Sequence, residues 1–206
     1  MCGRYTLTAG FPDLTQTFPH FSFSDDHSPR YNISPTQSVL AVANDDRYYV
    51  ENFRWGLIPY WAQSQSVGSR MINARSETLA EKPSFKIPYQ KQRCLILADG
   101  FYEWVKDKDG SKTPFYIHLS SNKVFTFAGL WESWLLPNGN AKVKSCTIIN
   151  TRANKFMSNL HHRMPVIIEK ENYDRWLSSR NCKPDDLVDL LTPYQDDDLV
   201  AYPVSK

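Results

Sequence analysis

Apolar positions along the chain recur mainly with period two, in short runs closed by turn residues. That is the pattern of half-buried strands. SVLAVAN and RYYVENFRW, on either side of Asp45-Asp46, predict a hairpin. RCLILAD and GFYEWV predict two more strands, followed by a turn at KDKDG. TPFYIHL and VFTFAGLWE predict a further pair. PNGN contains Asn-Gly, a strong local hairpin signal, and leads into KVKSCTIIN. MPVII and LVAYPV complete the strand set.

Helical patterns are fewer and shorter. PDLTQTF has a proline near its start, and SETLAEKPSF opens at Ser76 and is broken by Pro83. NKFMSNL predicts one short helix. EKENYDRWLSS predicts another, with Tyr173, Trp176 and Leu177 on one face. KPDDLVDLL puts Pro184 at a first helical position, with Asp185 and Asp186 at the positive end of the dipole. Strands grouped by turns, with helices at the edge, predict an α+β, β-rich single domain over 1–206. Its antiparallel sheets curl into a barrel-like core, with short helices at the periphery.

Composition narrows this only modestly. At 206 residues with 41 % hydrophobic residues, the chain is long enough to bury a core without disulfides. Mean hydropathy is −0.50. No apolar run is long enough to span a membrane, and the first twenty residues lack the basic start and apolar stretch of a secretory signal. A cytoplasmic location is expected, associated with the nucleoid if the source is bacterial. Cys2, Cys94, Cys146 and Cys182 are far apart and form no CxxC, so reduced thiols and no metal are expected. Formal net charge is +2. Residues 183–206 hold two lysines against six aspartates, so the rest is mildly basic. That permits a polyanionic partner without demanding one.

The chemistry starts at MCGRY. Removal of one residue would make Cys2 the first, with an α-amine beside its thiol. Such an amine titrates near about 7.7–8.0, well below a lysine, so a usable fraction is neutral at physiological pH. It can form an imine with an aldehyde, and the thiol can then close a five-membered thiazolidine. In GFYEW, alternation puts Glu103 on one face with Phe101 and Val105, an expensive place for a carboxylate unless it is paired or used. LHHRMPVII offers His161 and His162, of which one at most is expected to face a given site, and Arg163. INARSET aims Asn73 and Arg75 the same way, and Arg4 follows Cys2 closely. Trp61, Pro35 and Pro59 could pack against unstacked bases, whereas Trp55 reads as core. Each feature alone also fits an ordinary surface or core residue.

Together, MCGRY, RYNISPTQ, WGLIPYWA, INARSET, CLILADGFYEW, PFYI, FAGLWE, CTIINTRAN and HHRMPVII resemble the SRAP (SOS response-associated peptidase) family. The match runs in the family's order from residue 2 to about 168. The acidic, helical part from about 169 to 206 matches least. The resemblance implies a DNA-damage protein that shields abasic sites in single-stranded DNA through a covalent crosslink. It implies Cys2 as nucleophile, Asn73 holding the amine and sugar, and Glu103 as acid/base. It implies His161 as the catalytic histidine of H-x-R-M-P, with His162 in the variable slot and dispensable. Arg4, Arg75 and Arg163 are implied to bind phosphates, Pro35 and Trp61 to line the DNA path, and Thr151 to touch the sugar. A self-processing cysteine peptidase (hydrolase) activity and weak lyase activity are implied as well. No cofactor is expected, the partner is single-stranded DNA, and the protein is expected to be a monomer. A cysteine peptidase acting on peptides, with a Cys2–His161 pair, and a non-covalent reader of modified DNA remain alternatives.

Overall fold

The computed structural model describes residues 2–23, 27–45, 47–137, 139, 141–178 and 183–205. The first third holds β1 (Arg4–Leu7), α1 (Phe11–Thr17), β2 (Ser22–Phe23), β3 (Arg30–Ile33), β4 (Ser38–Ala43) and β5 (Tyr49–Trp55). Next come β6 (Asn73–Arg75), α2 (Pro83–Lys91), β7 (Arg93–Ala98), β8 (Gly100–Lys106) and β9 (Lys112–Leu119). The remainder contributes β10 (Phe125–Leu135), β11 (Lys142–Arg152), α3 (Lys155–Ser158) and β12 (Arg163–Pro165). β13 (Ile167–Ile168), α4 (Tyr173–Leu177) and β14 (Leu199–Pro203) complete it.

β4, β7, β10 and β11 pair antiparallel in sequence around a curl, and β5 pairs antiparallel with β4. A parallel seam between β5 and β11, Ser145 opposite Arg54 and Cys146 opposite Trp55, closes them into a five-stranded barrel. A second sheet, ordered β14-β9-β8-β1-β3, is antiparallel throughout. β7 is buried at all of its positions, as a strand in a closed barrel should be. β8 instead alternates, with Phe101 and Glu103 buried and Trp104 exposed, as a sheet with one wet face should. Tyr5 joins the two layers, packing edge-on to Trp55 and Phe127 at 5.3 and 5.7 Å between ring centroids.

The β-rich, largely antiparallel, barrel-cored fold expected from the pattern is the one observed, apart from the parallel pairings of β5 and β6 with β11 and of β2 with β5. Local pairings differ in places. TPFYIHL and VFTFAGLWE do not pair: β9 lies between β8 and β14, while β10 is a barrel strand. The reason is in the residues. β9 keeps Tyr116 and His118 on a half-buried face, whereas β10 is buried from Phe125 to Leu130. Pro83 does not break a helix but begins α2, where a missing N–H costs nothing. KPDDLVDLL winds as a 3-10 helix over Pro184–Leu191, and the part after about 169 is not wholly helical, since it supplies β14 to the second sheet. RYTL and RYNI are strands that the pattern did not yield, whereas NAR, whose alternation was read, forms β6. Asp46, Asn138, Asn140 and Cys182, with Ser179 at the end of the predicted helix, lie outside the described residues, as does Met1. Among the described residues no helix is long and apolar enough to cross a membrane.

Gly100, in the GFYEW stretch, is required by packing. A Cβ there would meet the Tyr116 ring and hydroxyl at 2.3–2.4 Å, because that ring lies flat across β8. Tyr116 Oη is 3.1 Å from Thr6 Oγ1, which ties β9 over β8 to β1. The N-terminal strand is thereby fixed, and with it the residue before Gly3.

Candidate active site

β1 runs antiparallel to β8 with Arg4 opposite Tyr102 and Tyr5 opposite Phe101. Carried one step further, that register brings the Gly3 end of the chain level with Glu103. Cys2 is 1 % exposed and Glu103 3 %. The two interact: burial pushes the Cys2 thiol well above its ordinary range, and the Glu103 charge pushes it further. The thiol hydrogen points toward Arg4 O at 3.6 Å. It is therefore a protonated thiol at neutral pH, not a standing thiolate.

β6 adds a third group. It pairs in parallel with β11, Asn73 opposite Ile148 and Arg75 opposite Asn150. Ala74 is buried, so Asn73 and Arg75 share the other face, as alternation predicted, with Arg75 exposed. Asn73 Nδ2 donates to the Cys2 carbonyl at 2.8 Å. Asn73 Oδ1 is buried and accepts no hydrogen bond among the described residues. A buried acceptor left open costs about 1–3 kcal/mol, so it suits an incoming N–H or O–H.

The turn between α3 and β12 supplies the histidines. Asn154 caps α3, its side chain accepting from Met157 N at 2.8 Å, and His161 N donates back to Met157 O at 2.8 Å. His161 Nδ1 sits 3.0 Å from the Arg163 N–H and 3.1 Å from the Arg163 carbonyl. A neutral ring can accept from the first and a protonated ring can donate to the second. The backbone thus anchors Nδ1 in either state, leaving Nε2 as the other proton-carrying position. Adjacent histidines were expected to diverge. They do not: the His161 and His162 rings stack with centroids 4.3 Å apart and planes 28° apart. The chain there is a turn rather than a strand, so alternation does not apply.

Arg163 is more engaged than a bare phosphate contact. Its Nη1 and Nη2 donate to the two Glu77 oxygens at 2.6 and 2.8 Å, and its Nε and Nη2 donate to Asn150 Oδ1 at 3.0 and 2.8 Å. The fork geometry holds the Glu77 carboxyl down at about 2. Neither Glu77 nor Asn150 was singled out from the sequence, although they stand inside INARSET and CTIINTRAN. Their partner lies 86 residues from Glu77, a separation that local pattern does not span.

The other predicted residues spread around this cluster. Thr151 is buried on β11 opposite Met164, next to Asn150. Arg4 faces outward and donates to Asn32 Oδ1 at 2.8 Å. Pro35 and Trp61 sit on surface turns, Trp61 52 % exposed, and neither hydrogen-bonds to the cluster among the described residues. Trp55 is core, as read, with Nε1 donating to Ile72 O at 2.9 Å. Among the described residues no group of three His, Cys, Asp or Glu side chains is placed to hold a metal.

The whole chain is similar to known proteins. The family model described as SOS response associated peptidase (SRAP) matches residues 1–206. The chain is 46 % identical over 208 residues to the abasic site processing protein YoqW of Bacillus subtilis, spanning all of this chain and 92 % of that one. It is 28 % identical to the abasic site processing protein HMCES of Gallus gallus, covering all of this chain and 73 % of that one. A crystal structure of a protein from Bacteroides thetaiotaomicron superposes with a TM-score of 0.88 at 26 % identity, over 99 % of this chain and 92 % of that one.

Proposed function

The chain belongs to the SOS response-associated peptidase (SRAP) family, and from that premise we propose that it processes abasic sites in DNA by crosslinking itself to them through Cys2. The observation that carries the reading is the grip of the Asn73 amide on the Cys2 carbonyl, beside the buried Glu103. Two side chains from distant strands converge on one backbone residue, which makes sense if the α-amine of that residue reacts.

The proposed steps use these groups in turn. Once Met1 is removed, the Cys2 amine attacks the aldehyde carbon of the ring-opened deoxyribose. His161, with Nδ1 held by the Arg163 backbone, protonates the sugar ring oxygen and favours the open form. Glu103 takes the proton released from the ammonium. The carbinolamine loses water to give an imine, Asn73 Oδ1 accepting from the amine N–H. The Cys2 S–H then adds across the C=N bond, sulfur to carbon and hydrogen to nitrogen. One water is released overall, and no oxidant is needed. The raised thiol pKa fits this order, because the sulfur acts second and adds as a thiol.

The partner is single-stranded DNA carrying an abasic site, since a stacked duplex hides the sugar carbon. Exposed Arg75 and half-buried Arg4 are the cations for its phosphates, Trp61 and Pro35 the surface groups for its bases, and Thr151 the residue behind the sugar. The imine also permits β-elimination, so slow strand cleavage accompanies crosslinking. Removal of Met1 by the protein itself is the peptidase half of this reading.

The test is a denaturing gel of protein beginning at Cys2 mixed with an oligonucleotide bearing one abasic site. A heat-stable adduct is expected, absent in Cys2→Ala and heat-labile at most in Cys2→Ser. An equal, heat-stable adduct with Cys2→Ala would overturn the assignment.

A further inference from the structure

We propose that His162 is a positioning residue for His161, covering one face of its ring and confining the stacked pair to a single proton. This rests on the role given to His161 above. A residue in a variable slot would ordinarily be an indifferent surface group. Here its ring lies 4.3 Å from the His161 ring and nearly parallel to it, too close for two full positive charges to coexist comfortably.

The surroundings sharpen the effect. The terminal ammonium, Arg163 on β12 and Arg75 on β6 are cations that act on the pair, and Glu77 pairs with Arg163. The His162 imidazole is held below its ordinary range, first by His161, then by burial, then by the terminal ammonium and these arginines. His162 O also accepts from Ala153 N at 3.1 Å, which holds the turn against the end of β11. The two rings differ in anchoring. His161 Nδ1 meets both the N–H and the carbonyl of Arg163, so its proton can come and go without loss of position. His162 is the exposed member. It therefore acts as a flat, weakly basic cover that keeps His161 Nε2 in one orientation, and a protonated His161 discourages a second proton on the cover.

The experiment has two arms on the full chain beginning at Cys2. In the first, histidine ring protons are titrated by NMR in wild type and His161→Phe. Phe keeps a stacked ring but carries no charge, so the His162 midpoint, held down first by His161, is expected to rise. In the second, crosslinking rate to a single-stranded abasic oligonucleotide is followed against pH. His162→Phe is expected to stay within about two-fold of wild type, and His162→Ala to be about five-fold slower throughout. An unchanged His162 midpoint in His161→Phe would overturn the inference. So would wild-type rates in both His162 variants, or equal slowing in both that tracks a lower melting temperature. If wild type forms no adduct, the crosslinking reading falls, and the titration arm still decides the coupling of the two rings.

Discussion

Asp99 and Glu103 stand four residues apart in LADGFYEW, and both are buried, at 6 % and 3 % exposure. Asp99 is wrapped by donors from one neighbouring segment. Thr6 Oγ1 donates to it at 2.6 Å, Thr8 Oγ1 at 2.7 Å and Ala9 N at 3.0 Å, and Thr8 N donates as well. These hold the stretch between β1 and α1 to the β7–β8 junction. Glu103 instead faces Cys2, and its charge acts on the thiol of a residue whose carbonyl is held by Asn73. The difference teaches that burial of a carboxylate does not by itself mark a site. What marks it is whether the charge also acts on a group that can react.

That contrast is breakable by substitution. Glu103→Gln, nearly isosteric, is expected to slow adduct formation by about 10²–10³-fold while moving unfolding free energy by less than about 1 kcal/mol. The measurements are single-turnover crosslinking and urea unfolding. Asp99→Ala should do the reverse. It leaves several buried donors without an acceptor, so about 3 kcal/mol of stability is lost in the same urea experiment, while crosslinking per folded molecule stays near wild type. If the two variants exchanged these phenotypes, the distinction would be wrong.

Asn73→Ala sharpens the Glu103 side. Loss of the amide that holds the Cys2 carbonyl is expected to slow crosslinking about ten-fold, equivalent to about 1.4 kcal/mol, and gel time courses would read it. Glu77→Gln probes the second ion-paired site residue. The Glu77 carboxyl is held near 2 against an ordinary 4.5 by the Arg163 guanidinium. A folded pKa below the unfolded one means stabilisation present above pH 4.5 and lost as pH falls through about 2. Glu77 is 40 % exposed, so screening limits the effect. Wild type should exceed the variant by about 1 kcal/mol at pH 7, with the gap closing between pH 4.5 and 2.

The sequence was legible where structure follows local period. RCLILAD, GFYEWV and KVKSCTIIN each alternate or run apolar over enough positions to declare a strand, and β7, β8 and β11 form there. RYTL and RYNI span four positions each, too few to show a period, yet β1 anchors the chain end that holds Cys2. Partner choice is not a local property. Nothing in TPFYIHL says that it will lie beside LVAYP rather than VFTFAGL. Proline was ambiguous for a physical reason, since the missing N–H that ends one helix is harmless at the start of another, as at Pro83. At the site, Cys2, Glu103 and His161 were visible because their chemistry is unusual for their position. Glu77 and Asn150 were not, since each looks like an ordinary polar residue until Arg163 is brought to it by β12. His162 was set apart by its place in the variable slot of H-x-R-M-P, which carries no information about the ring it stacks on.

Intact-mass and peptide-level spectrometry of the crosslinked product is the most direct measure of the reaction assigned to Cys2. The account predicts that protein beginning at Cys2 gains the mass of the abasic oligonucleotide less one water, with the bond mapped to the N-terminal residue. An adduct mapped to any other residue, or formed equally well while Met1 is still attached, would contradict it.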